Sequence, residues 1–103
     1  MQSWRVSLSP SKRVAASTRA ASFEPAIAVA FGTAARHLRV GLGIAQDQMA
    51  LQAGVDRSYL GKLERGERQP SLGILLRIAG ALGVSGAELV HRAEDLLAHK
   101  ENS

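Results

Sequence analysis

The segment QDQMALQAGVDRSYLGKLERG, residues 46–66, sets two short helical apolar patterns on either side of one glycine. Two helices that cross closely through a tight turn need apolar residues where they face each other and the core. They also need a small residue at the crossing and a turn residue that tolerates a left-handed backbone. Met49, Ala53, Val55, Leu60 and Leu63 supply the apolar set, Ala50 the small residue and Gly54 the turn. A lone glycine between helical patterns says little. Seven such positions satisfied together restrict the segment to a tightly crossed helix pair.

The flanking sequence extends the helical reading. Pro25 opens a first helix with Ile27, Phe31, Ala34, Ala35 and Leu38 at three- and four-residue spacing, and Gly41 and Gly43 close it. The second helix begins near Ala45. Asp56 is placed to cap the third, its carboxylate accepting from the free N–H groups of the first turn, and Gly66 ends it. Pro70-Ser71 starts a fourth helix with an apolar stripe of Leu72, Leu75, Leu76, Ala79 and Leu82, stopped at Gly83. In SGAE, Ser85 and Glu88 form a capping box ahead of Leu89, Val90, Ala93, Leu96 and Leu97. The pattern predicts a compact all-α domain of five helices over residues 25–99. A basic, flexible extension (1–24) precedes it and a short tail (100–103) follows.

Composition narrows the class further. At 103 residues the chain holds one small domain, and without cysteine it has neither disulfides nor thiolate metal sites, which suits a reducing cytoplasm. No apolar run reaches the ~20 residues needed to span a bilayer. The net charge of +4 is carried by Arg5, Lys12, Arg13 and Arg19 in the leader MQSWRVSLSPSKRVAASTRAAS. From Phe23 onward, acidic and basic residues balance, so any basic face there arises by segregation. Three readings fit the leader: a flexible nucleic-acid-binding arm, an inert extension and a cleaved transit peptide.

With the apolar set facing inward, the third helix turns Arg57, Ser58, Gly61 and Lys62 outward, with Gln46 beside them at the start of the second helix. An α-helix fits the DNA major groove; Arg and Lys donate to guanine O6 and N7, and Ser serves donors and acceptors alike. Arg57, Ser58 and Lys62 are therefore the candidates for base readout. Gln46 at a helix N-terminus, with Arg65 and Arg68 in the loop after the third helix, suits phosphate contacts. Gly61 costs the helix ~0.8–1 kcal/mol relative to alanine. Close approach to DNA and close packing on the first or second helix both account for it.

These residues resemble the lambda-repressor/Cro-like, or XRE-type, helix-turn-helix regulators over roughly residues 31–90. The likeness rests on Gln46 followed by Met49-Ala50, Gly54-Val55, LERGERQPSL, and IAGALGV leading into Glu88-Leu89. It implies that Arg57, Ser58 and Lys62 approach base edges, that Gln46 meets a phosphate and that Arg39 and Glu64 form a buried ion pair. Ala45 departs from the capping Ser or Thr usual in the family. The tract YLGKLERGER is also similar to the controller proteins of restriction–modification systems, a compact branch of the same family. The fifth helix carries more apolar surface than a cover for four helices needs. With the resemblance, this places a homodimer surface at Leu89, Val90, Ala93, Leu96 and Leu97.

His91, Asp95 and His99 recur at four-residue steps, a spacing that more often stabilises a solvated helix face than binds metal. No nucleophile elbow, phosphate loop or paired carboxylates point to an enzyme, and no metal, cofactor or small-molecule ligand is implied. The reading is a cytoplasmic, sequence-specific regulator, a repressor or autoregulator, binding double-stranded DNA as a homodimer on a pseudo-palindromic operator. Its rival is a protein-interaction module, an antitoxin or adaptor with secondary DNA binding, which has no need to keep Arg57, Ser58 and Lys62 clear of apolar contacts.

Overall fold

The computed structural model describes residues 22–101. The leader's Trp4 and its four basic residues lie outside that range. Five α-helices follow in order: α1 (Pro25–Gly41), α2 (Gln46–Ala53), α3 (Arg57–Glu64), α4 (Leu72–Leu82) and α5 (Gly86–Glu101). Among the described residues there is no strand, and no single helix is long and apolar enough to cross a membrane. The last helix runs into the segment expected as a tail.

α1 is the organising element because its buried side is almost all alanine. Ala28, Ala30, Ala34 and Ala35 bury small side chains, so α3 and α5 approach closely. The tightest approach is at Gly32, where a Cβ would run into the Leu63 and Glu64 carbonyls. Only glycine fits that crossing, and it holds α1 against the last turn of α3. Met49, Leu60, Leu63, Ile78 and Leu89 complete the core as its largest fully buried side chains.

Ser71 caps α4, its Oγ accepting from the Ile74 N–H at 3.1 Å. Two other caps differ from expectation. Asp56 occupies the N-cap of α3 in an extended conformation, but its side chain makes no capping bond. At α5 half of the capping box forms: Ser85 Oγ accepts from the Glu88 N–H at 3.0 Å, while the Glu88 carboxylate turns to Arg92 Nε at 2.8 Å.

The face that α4 buries is rotated from the expected stripe. Ile78, Ala79 and Leu82 enter the core, Ile74 and Leu75 pack at its edge, and Leu72 and Leu76 stay 71% and 52% exposed. The five α5 residues expected at a dimer surface differ in burial. Leu89 and Ala93 belong to the core, and Leu96 and Leu97 are half-buried against it, so of the five residues Val90 alone is well exposed. α5 needs Leu89 and Ala93 to cover α1, which leaves them no outer face.

Candidate nucleic-acid interface

The geometry of the candidate site begins at the turn between α2 and α3. Gly54 adopts φ +72°, and the chain reverses so that the Val55 N–H returns to the Ala50 carbonyl at 3.0 Å and the Gly54 N–H to Leu51 at 3.2 Å. These bonds satisfy the last carbonyls of α2 and fix the direction in which α3 leaves. Arg77 of α4 braces the turn from outside, donating Nη1–H to the Gly54 carbonyl at 3.3 Å. Nothing local in the sequence signals this role, because Arg77 lies alone in an apolar helix, without a pattern that points to the turn.

α3 divides sharply into two faces. Leu60 and Leu63 are completely buried, whereas Arg57 and Ser58 are exposed and Lys62 is half-exposed. Arg57, Lys62 and Arg68 have no ion-pair partner among the described residues, so their donors are available to a ligand. Gly61 does not share this outward face; it is buried. A Cβ on Gly61 would stand 3.1 Å from Arg65 Nη1 and 3.8 Å from the Gln46 amide. The glycine makes room for these two side chains, which supports the packing account of its presence.

Beneath this face lies a polar cluster centred on Glu64, whose side chain is 2% exposed. Arg39 Nε donates to Glu64 Oε2 at 2.7 Å and Nη2 to Oε1 at 3.0 Å, while Nη1 reaches the Ile44 carbonyl at 2.8 Å. Gln46 Nε2 donates to Glu64 Oε1 at 2.9 Å. Burying a carboxylate is costly unless its oxygens are satisfied, and here three donors satisfy them. The hydrogen bond to Glu64 raises the Arg39 pKa above its ordinary value, so the guanidinium stays charged. The cluster ties the end of α1, the start of α2 and the end of α3 together. It also commits part of the Gln46 amide expected at a phosphate.

Arg65, also expected at a phosphate, has an internal partner. Its Nε donates to Glu67 Oε2 at 2.7 Å, and both side chains remain more than half exposed. Arg68 is exposed in the same loop. On α5, His91 Nε2 lies 3.4 Å from Asp95 Oδ2 with both side chains about two-thirds exposed, an i,i+4 pair on a solvated face.

Comparison with known proteins places this geometry in context. The family model described as Helix-turn-helix matches residues 36–89. An uncharacterized HTH-type transcriptional regulator of Sinorhizobium fredii is 43% identical over 53 residues, covering 52% of this chain and 69% of that protein. Among solved structures, the restriction-modification controller protein C.AhdI of Aeromonas hydrophila is 44% identical over 60% of this chain and 94% of its own, with a TM-score of 0.59. The clp gene regulator ClgR of Corynebacterium glutamicum is 32% identical over 74% of this chain and 84% of its own, with a TM-score of 0.67.

Proposed function

The chain belongs to the helix-turn-helix family of transcriptional regulators, and from that premise we propose that it is a sequence-specific, double-stranded-DNA-binding repressor or autoregulator acting in the cytoplasm as a homodimer on a pseudo-palindromic operator. The observation that carries the reading is the division of α3, with leucines fully buried on one side and Arg57 and Ser58 exposed and Lys62 half-exposed on the other. A helix held by its leucines and by the Arg39–Glu64 pair can enter a major groove without rearranging the core. Arg57 and Ser58 lie in its first turn, where their donors reach base edges. Arg68, beyond the helix, is assigned to phosphate, as is the N-terminus of α2 at Gln46.

The dimer face is assigned to the apolar side chains that the fold leaves outside its core. Leu76 lies against Gly86, one turn before Val90, and Val90 lines one groove with Ile27, Phe31 and Leu75. Leu72, Leu76, Val90 and Ile27 are each between about 40% and 70% exposed. Two copies joined here through a two-fold axis would present two α3 helices to one side of a duplex.

Selection of bound duplexes from a random DNA pool tests the reading. The expected result is an inverted repeat with half-sites about 34 Å apart, one turn of B-DNA. A pool that shows no enrichment would remove sequence-specific binding, and an enriched single half-site would remove the dimer.

A further inference from the structure

We infer that Glu67 is an internal counter-ion for the DNA-facing basic cluster, neutralising Arg65 so that this arginine adds little to phosphate binding while the carboxylate is present. The inference rests on the proposed reading of α3 as the DNA-contacting helix. It concerns a residue that sequence reading left without a role.

The backbone fixes where Glu67 stands. Gly66 takes φ +76°, and this turns the chain back over the end of α3 so that the Glu67 N–H bonds the Lys62 carbonyl at 2.9 Å and the Gly66 N–H bonds Leu63 at 3.1 Å. That pairing closes the helix C-terminus and leaves little freedom in the path of residue 67. The side chain meets Arg65 through both oxygens, at 2.7 Å to Nε and 3.4 Å to Nη2. The other end of the same guanidinium lies over Gly61, with Nη1 3.1 Å from where a Cβ would stand. Arg65 is thus laid along α3, between Gly61 and Glu67.

The surrounding charges point the same way. The hydrogen bond from Arg65 holds the Glu67 carboxyl below its ordinary pKa, and the nearby charges of Arg65, Lys62 and Arg68 add to the effect. Of the three cations around this carboxylate, Arg65 alone is bonded to it. A carboxylate presents the guanidinium with two oxygens, as a phosphate does, so the Arg65 fork is already satisfied in the geometry that DNA would require. Binding to DNA releases condensed cations only where a phosphate is neutralised by net positive charge. An arginine that arrives with its own carboxylate brings no net charge.

Salt dependence separates this role from a general repulsion. For full-length protein on a selected duplex, the slope of log affinity against log salt should steepen in Glu67→Gln by up to ~0.9 per subunit. Raising salt fourfold would then cost the variant about 3.5-fold more affinity per subunit than wild type. Combining Glu67→Gln with Arg65→Ala should cancel the steepening, because the carboxylate and the guanidinium it neutralises then leave together. Asp95→Asn, which removes an exposed acid on α5, should leave the slope as in wild type, and urea unfolding should show all these variants folded.

An unchanged slope in Glu67→Gln overturns the inference. So does a steepening that persists in the double variant, because Glu67 would then act on Lys62 or Arg68 and not on Arg65. Absence of DNA binding by wild type would instead defeat the reading of α3, and this inference with it.

Discussion

Glu64 accepts from Arg39 and Gln46 in a position almost closed to solvent, and each of those donors belongs to a different helix. Removing the carboxylate leaves a guanidinium at the α1–α3 crossing with only the Ile44 carbonyl. Breaking a buried ion pair from one side costs about 3–5 kcal/mol, so Glu64→Ala should lose that much stability in urea unfolding. A loss under about 0.5 kcal/mol, the scale of an exposed pair, would show that solvent replaces the carboxylate freely. Arg57 and Arg68 differ in the opposite sense, since neither supports the fold. Arg57→Ala should cost ~1–3 kcal/mol on a selected site and much less on scrambled DNA, relaxing preference at one base position per half-site. Arg68→Ala should weaken all sequences alike and lower the salt slope by about one per subunit. Titrations at several salt concentrations on both duplexes measure the contrast. Uniform loss in both variants would make Arg57 a phosphate anchor and move the readout to Ser58 and Lys62.

At the scale of the elements, two glycines of the same loop-and-helix unit should respond in opposite directions to alanine. Gly61 lies inside α3 without a positive φ, and an added Cβ there crowds only the flexible end of Arg65, at 3.1 Å, with the Gln46 amide at ordinary contact distance. Gly61→Ala should gain about 0.5–1 kcal/mol from helix propensity. Gly66 has φ +76°, and its Cβ would come within 2.9 Å of the Val29 Cα. Gly66→Ala should lose at least about 1–2 kcal/mol, the cost of a left-handed alanine before any clash with α1. Thermal unfolding decides both, and a stabilised Gly66→Ala would mean that the loop can leave α1.

The same elements mark where sequence was legible. The turn at Gly54 and the inner face of α3 were readable because each position carries its own steric demand. α4 was less so: Gly73, Arg77 and Gly80 mark an outer side in LGILLRIAGAL, but Leu72 and Leu76 border that side and are as apolar as the residues that enter the core. By spacing, Leu72 and Leu76 fit an inward stripe as well as Ile78 does, and packing alone selects Ile78. Gly32 gave no signal either, since the backbone it admits belongs to a residue over thirty positions away. Likewise, nothing local in LERGER tells that Glu64 turns inward to Arg39 while Glu67 turns outward to Arg65.

For the whole molecule, the exposed leucines of α4 bear on assembly. A fold that keeps Leu72 and Leu76 of α4 and Val90 of α5 exposed retains apolar surface that its own core does not use. Large exposed apolar patches mark interaction sites in soluble proteins, and a two-fold interface brings the same patch from both copies together. One substitution therefore places two charges in the interface. Val90→Lys and Leu76→Lys lie at positions already 39% and 52% exposed, so each should keep helical content and unfolding midpoint near wild type. Sedimentation at micromolar concentration should show dimers for wild type and monomers for either variant. Because the second half-site then binds independently and not at the effective concentration set by its partner, affinity for the full inverted repeat should fall on the order of 10²-fold. Affinity for an isolated half-site should stay unchanged, since α3 lies outside the substituted patch. If the variants remain dimeric, two copies meet through another surface, and the apolar face of α4 and α5 must answer to a different partner. If wild type is a monomer that binds the best selected duplex one to one, a single α3 carries the whole readout.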